Sequence, residues 1–348
     1  QKWRARAARV IPDGSFGHVR PEYYPPAYPQ FYGRAAGARI WDVDGNPYID
    51  LMCSWGPMIV GYRRPEVEDA YRREAEQREL AFGMSPRAVE LAERFVSLVE
   101  GADWAMFQKN GGDATMLAVT VARQATGRRK LLRATGSYHG STPWFTPIQA
   151  GITPEDRANL IEFAYNDVDS LEAAAREAGS DFAAAILTPH RHDTDSDSVP
   201  IEPGFARRLR ELCDRQGAAL ILDDVRAGFR ISMAGSWAPL GIAPDLCAFS
   251  KCIANGYPLA AVTGCERLRD AAASIYATGS FWYASGPMAA SLACLEILER
   301  EDGIATMNAR GTQLMEGMRQ QADSHGVAAV LSGPSAMPDL TFQEGAPR

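Results

Sequence analysis

The 348-residue chain predicts an α/β fold, a mostly parallel central sheet covered by helices on both faces. Three observations predict it. Runs such as Phe182–Leu187 and Ala218–Leu222 carry no polar position, as strands buried on both faces do. Segments with apolar residues three and four apart fall between such runs. The turns after the runs hold glycine pairs and isolated charges, and ligands of open α/β sheets sit at the C-terminal ends of strands.

Residues 1–36 are rich in Pro, Tyr and Arg and predict an extended arm. Residues 38–51 predict a hairpin around Asp44-Gly45. Residues 65–82 and 86–100 predict two helices. An alternation follows: strand Trp104–Phe107, helix Asp113–Thr126, strand Lys130–Ala134, then helix Val168–Ala178 with Asp167 and Asp169 as caps. Strand Phe182–Leu187, helix Gly204–Gln216 and strand Ala218–Leu222 come next, with short strands near Leu246–Phe249 and Leu259–Thr263. From about 284 the chain turns helical (Ala284–Arg300, Asp302–Ser324), and strand-like pieces follow at 327–331 and 339–342. This divides the chain into an N-terminal arm and hairpin (1–60), a large domain (61–275) and the start of a small α+β domain (276–348). That last part is incomplete as read, because two strands without further cover leave a sheet edge exposed.

Composition narrows the function classes. Hydrophobic residues make up 46% and charged residues 23%, with a formal net charge of −7. No basic tract exceeds pairs such as Arg128-Arg129, which argues against a nucleic-acid ligand. No run of 18 apolar residues predicts a membrane span, and Gln1–Arg6 lacks the apolar core of a secretory leader. The six cysteines form no Cys-x-x-Cys pair, and no histidine joins them at metal spacing. Reduced thiols in a cytoplasmic protein, without a metal, are expected.

Four lysines stand against thirty-two arginines. One of them, Lys251, lies in the uncharged run Leu246–Asn255. Arg neither loses its proton nor forms an imine, whereas a desolvated Lys does both; a lysine snorkelling to water is the plainer alternative. Strand 218–222 ends in Asp223-Asp224, two carboxylates that need a strand-end turn, a cation or a protonated ring nitrogen. An Asp and a lone Lys at successive strand ends suit pyridoxal phosphate. Asn110-Gly111-Gly112 runs from strand to helix, either as a phosphate turn or as an ordinary one. Tyr138, in Gly136-Ser-Tyr-His139-Gly140, would stack on a flat cofactor or half-bury itself in a turn.

In this order the residues resemble the class-III aminotransferases of the fold-type-I pyridoxal-phosphate family. The branch they resemble most includes glutamate-1-semialdehyde aminomutase and β-amino-acid aminotransferases. Ser54–Met58, Asn110–Arg123, Tyr138–Gly140, Leu220–Arg230, Pro244–Lys251 and Gly279–Leu298 carry the likeness. It implies Lys251 as the Schiff-base lysine, Asp223 at the pyridine nitrogen and Tyr138 against the ring. Asn110, Gly111 and Gly112 then hold the phosphate, and His139 joins the cofactor-binding set. The resemblance implies a homodimer in which Ser280 reaches the other subunit's phosphate and Tyr276 lies near the shared site. Arg20 matches an arginine that holds a substrate carboxylate, and Trp55 a wall of the substrate pocket. A small-molecule amino donor and a carbonyl acceptor are implied, with an aminomutase or racemase as the alternative.

Departures from the family pattern are also legible. Asn110–Ala114 lacks the usual hydroxyl donors, so phosphate would lean on backbone N–H groups, the Asn110 amide and Ser280. Asp224 replaces a glutamate. Thr188-Pro189 leads into the unusual His190–Asp197 loop, a candidate for altered specificity or a solvated surface loop. The family continues past residue 348. Residues 279–290, aromatic and uncharged, would form either an interface core or ordinary core.

Overall fold

A computed structural model describes residues 2–25, 27–78, 83–191 and 197–342. The arm is not extended throughout. It begins with helix α1 (Lys2–Val10), passes through three 3-10 turns between Pro12 and Tyr23, and only then forms β1 (Tyr32–Ala36). The physical reason is local: the prolines start at Pro12, and the Ala- and Arg-rich stretch before them favours a helix. The predicted hairpin is β2 (Arg39–Asp42) paired antiparallel with β3 (Pro47–Ile49), and β1 adds a third strand. Asp42 fixes the turn, accepting from the N–H groups of Asp44 and Asn46, each at 2.9 Å.

Helices α2 (Pro65–Arg78) and α3 (Pro86–Leu98) precede β4 (Trp104–Gln108), α4 (Gly111–Thr126) and β5 (Lys130–Ala134). Then come α5 (Pro154–Arg157), β6 (Leu160–Phe163), α6 (Val168–Ala178), β7 (Phe182–Leu187) and the short pair β8 (His190–Arg191) and β9 (Val199–Pro200). The chain continues through α7 (Pro203–Gln216), β10 (Ala219–Asp223), β11 (Leu246–Phe249), β12 (Ala260–Gly264), α8 (Arg269–Ser274), α9 (Ser285–Arg300) and α10 (Gly303–Ser324). It closes with the antiparallel pair β13 (Ala329–Ser332) and β14 (Asp339–Phe342). Asp167 caps α6 by accepting from Ser170 N at 2.9 Å. Of the central strands only β6 escapes the sequence pattern, being four residues at a sheet edge.

The central sheet has seven strands in the order β4-β12-β11-β10-β7-β5-β6. β11, β10, β7, β5 and β6 are mutually parallel. β12 is antiparallel to both β11 and β4, so β4 runs the same way as β11. The C-terminal ends of β4, β5, β10 and β11 therefore open on one edge of the sheet.

Side-chain alternation feeds two cores. Leu220, Leu222 and Phe249 enter one with Phe95, Phe205 and Met288. Ile221, Ala248 and Val262 enter the other with Leu117, Val121 and Leu268. The stretch 279–290 divides. Ala284–Ala290 is buried within the chain's own core, while Phe281 and Tyr283 stay exposed, as does Tyr276 just before the stretch. No helix among the described residues is long and apolar enough to cross a membrane.

Candidate active site

Four strand ends build the site. β10 ends in Asp223, which is buried. One of its oxygens accepts from Val225 N at 3.1 Å, and the other meets His139 Nδ1 at 2.7 Å. The next carboxylate, Asp224, faces elsewhere and finds Ser236, whose N–H donates at 2.9 Å and whose hydroxyl also donates. Burial pushes Asp224 up to about 6, against the pull of these two bonds. The shorter side chain thus has a partner.

β11 delivers Lys251 two residues past Phe249, in a left-handed conformation (φ 44°). Its Nζ donates to the Trp55 carbonyl at 3.1 Å. Burial lowers the lysine pKa, and the Arg226 and Arg230 guanidiniums lower it further, while Cys252 and Asp223 oppose them. No ion pair of Lys251 with a carboxylate occurs among the described residues.

β4 leads through Lys109 and Asn110 into α4, so Gly111 and Gly112 sit in the first helical turn. Backbone N–H groups of a first turn have no intrahelical acceptor. The Asn110 amide is engaged with Asp113: Asn110 Nδ2 and N both donate to Asp113 Oδ2, at 3.1 and 3.0 Å. The Gly111 and Gly112 N–H groups are what remains for an anion.

Packing requires glycine at 111 and at 140. A Cβ on Gly111 would come within 2.6 Å of Val225 Cγ1. A Cβ on Gly140 would come within 2.6 Å of the Gly112 Cα. Past β5, the Tyr138-His139-Gly140 turn is thereby pressed against the α4 turn, and Thr115 Oγ1 donates to the His139 carbonyl at 2.6 Å. Tyr138 keeps its ring half exposed, and its pKa is raised by burial and by Asp223.

The remaining sequence candidates scatter. Trp55 is 44% exposed and joins the site through its backbone carbonyl; its ring meets His18 edge-on at 4.3 Å. His18 has its pKa lowered by burial and by Lys251, which places the arm next to the lysine. Arg20 is exposed and lies 3.7 Å from Glu22. Ser280 is exposed, as is Tyr276 at 94%, so neither is enclosed by its own chain. His190 is buried on β8, while residues 192–196 of its loop lie outside the described residues.

Sequence reasoning missed one contact and left two participants without a role. His139 was expected in the cofactor-binding set, but not its partner: it holds Asp223. Val225 backs Gly111. Arg230 is buried at 7% exposure and donates to Cys252 Sγ at 3.0 Å and to the Gly56 carbonyl. The only signal for the last was its place in Gly228-Phe-Arg230.

These residues fit pyridoxal phosphate. The open N–H groups at Gly111 and Gly112 suit its phosphate, the Lys251 amine its aldehyde, and Asp223 its ring nitrogen. His139 Nε2 is buried without a hydrogen-bond partner among the described residues, so the imidazole is dedicated to the Asp223 side. No group of three His, Cys, Asp or Glu side chains among the described residues would hold a metal.

The comparisons with known proteins agree. The family model "Aminotransferase class-III" matches residues 23–338. The chain is 46% identical over 341 residues to the aminopentol aminotransferase of Sphingopyxis macrogoltabida, covering 98% of this chain and 81% of that protein. It is 33% identical over 359 residues to a glutamate-1-semialdehyde 2,1-aminomutase of Neisseria meningitidis, covering 99% and 83%. The structure superposes on the PLP internal aldimine form of the FumI protein of Sphingopyxis sp. MTA144 with a TM-score of 0.97 and 46% identity, covering 99% of this chain and 83% of that one. The chain belongs to the class-III aminotransferases and is a pyridoxal-phosphate-dependent aminotransferase.

Proposed function

We propose that Lys251 anchors the cofactor and then carries the substrate proton, and that Asp223 faces the ring nitrogen. One observation carries this reading. A half-buried lysine, its pKa lowered, bonds a backbone carbonyl and, among the described residues, no carboxylate, at the end of the strand next to the one ending in Asp223. Such an amine is neutral more often than a free lysine and so can act as a base. When bound, pyridoxal phosphate supplies an electron sink for the charge left on a carbon that loses its proton.

The chain's own residues set the stage for that chemistry. Asp223, held by His139 and Val225 N, presents a fixed negative charge to the ring nitrogen. Gly111 and Gly112 would offer their N–H groups to the phosphate, and Tyr138 would serve as the aromatic beside the ring. Trp55 and His18 wall the substrate side of Lys251. Arg20 meets a substrate carboxylate once released from Glu22.

Ser280 and Tyr276 serve the site of a second copy, and the exposed aromatics at 276–283 suit a homodimer interface. The six free cysteines suit the cytoplasm.

The amino donor we take first is an aminopentol-type amine, after the 46% identical relative. The aminomutase reading stays as second because a protein of that name aligns over 99% of this chain. The test is a donor panel of α-, β- and ω-amino acids and aliphatic amines, each followed by absorbance with and without a 2-oxo acid. An aminotransferase stops after one half-turnover when the acceptor is left out. Sustained turnover of one compound without acceptor overturns the assignment in favour of the isomerase.

A further inference from the structure

Four consecutive residues beneath Lys251 have left-handed backbone: Cys53 (φ 49°), Ser54 (55°), Trp55 (64°) and Gly56 (105°). Three of them carry a Cβ, which that region disfavours. Such a turn persists only where its surroundings over-determine it.

Two kinds of contact hold it. Asp50 accepts from Met52 N at 2.9 Å and Ser54 N at 3.0 Å, which fixes the entry. The exit is held by Arg230. Its Nη2 donates to the Gly56 carbonyl, and its Nε donates to Cys252 Sγ at 3.0 Å. The Cys252 thiol itself points at the Gly56 carbonyl at 3.5 Å. A Cβ built on Gly56 would lie 3.3 Å from Arg230 Nη2 and 3.5 Å from Lys251 Cδ, so the turn is wedged between the guanidinium and the lysine stem. The residue before it, Trp55, supplies the carbonyl that receives the Lys251 amine.

Arg230 forms no ion pair among the described residues, although a buried guanidinium ordinarily takes a carboxylate partner. Here its donors go to a carbonyl and a sulfur. The charged or titratable groups bearing on the amine are Arg226, Arg230, Asp223 and Cys252 from the β10 and β11 ends, and His18 from the arm.

We infer that Arg230 is a positioning residue for Lys251, its fork clamping the left-handed turn so that the Trp55 carbonyl stays under the amine. This rests on the reading that Lys251 is the reacting amine.

The test uses Arg230→Lys, which keeps the charge and loses the fork, and Arg230→Gln. Hydrogen exchange is followed by mass spectrometry on the cofactor-free chain. In both variants the amides of 53–56 exchange at least about tenfold faster, while those of β7 and β10 are unchanged. Lys251 is acetylated at least about threefold faster relative to Lys130, because the cover over its amine is loosened. In the loaded enzyme kcat falls about ten- to a hundredfold with KM of the donor nearly constant, as for a misplaced catalytic group. Cys252→Ala removes the sulfur that holds Nε and leaves the buried charge in place; it gives the same pattern at smaller amplitude, which decides the matter if the Arg230 variants do not fold.

Wild-type protection of 53–56 in a folded Arg230→Lys protein overturns the inference. So does loss of protection spread over the whole sheet. Full turnover by Lys251→Ala would instead overturn the role of Lys251 and leave the exchange result standing, so the two failures are distinguishable.

Discussion

The two ends of the central sheet treat buried charge in opposite ways. Where β11 begins, Asp245 is buried and saturated: Arg210 reaches it at 2.8 Å, Arg267 at 2.9 Å, and Leu220 N donates at 2.7 Å. Where β10 and β11 end, Asp223 and Arg230 are buried too, yet no arginine or lysine pairs with Asp223 among the described residues. Asp223 meets an imidazole, and Lys251 and Arg230 meet backbone carbonyls. Buried charge without a counter-charge is costly. The first end answers that cost internally and serves stability. The second leaves it unanswered within the chain, which supports the proposal that a ligand bringing an anionic phosphate, an aldehyde and a basic ring nitrogen completes it. The difference teaches that incomplete pairing, more than burial, marks the site.

The strongest way to break this comparison is to delete the unpaired amine. Lys251→Ala should lose at least about a thousandfold in transamination, the upper range for a proton-transferring group. Its melting temperature without cofactor should stay within a few degrees of the wild type, because the amine makes a single hydrogen bond to a carbonyl. Steady-state rates and a thermal melt check both halves. A large loss of stability would mean that Lys251 belongs with the structural charges.

The matched pair of aspartates sharpens the contrast. Asp245→Ala removes the acceptor of the buried Leu220 N–H and one partner each of Arg210, which keeps Asp214, and of the half-exposed Arg267, and should destabilise the fold by about 1–3 kcal/mol, with kcat of the folded fraction preserved. Asp223→Asn should do the reverse, costing about a hundredfold or more in kcat with little change in urea midpoint. Unfolding curves and rates on both variants are enough. If Asp223→Asn unfolds the protein as readily as Asp245→Ala, the two ends are not different in kind.

Much of the unpaired end was legible, and what was not has a common cause. Lys251 and Asp223 are informative as residue types at strand ends, and both features are local. The glycine turn was legible too, but not which donors it leaves open, because the Asn110 amide is taken by Asp113. His139 and Asp223 are 84 positions apart, and the Arg230 and Lys251 contacts to the Gly56 and Trp55 carbonyls span 174 and 196. Such contacts are created by the topology that gathers strand ends on one edge. No periodicity or turn rule along the chain encodes them. The arm helix was missed for a different reason, since the Pro- and Tyr-rich stretch after it dominates the composition of residues 1–36.

Asp224 offers the smallest and most delicate test, because it sits between the two regimes. It is buried beside Asp223 but satisfied by Ser236, and burial still raises its pKa from 3.8 to about 6. Between those values the folded chain holds a proton that the unfolded chain has released. Stability from this group is therefore present at low pH, declines as pH rises from about 4 to 6, and levels off above. A shift of this size corresponds to at most about 3 kcal/mol. Carboxylates held below their usual range by cations, such as Glu74 beside Arg78 and Arg87, push the total in the other direction. The quantity to follow is thus the difference between Asp224→Asn and wild type, measured by urea unfolding at pH 5 and pH 8. The asparagine keeps one of the two acceptor oxygens that Ser236 uses, can donate to its hydroxyl from the other position, and cannot ionise, so the variant should gain on the wild type as pH rises. A constant difference would mean that Ser236 holds the carboxylate ionised throughout, which would place Asp224 with the fully answered charges at the other end of the sheet.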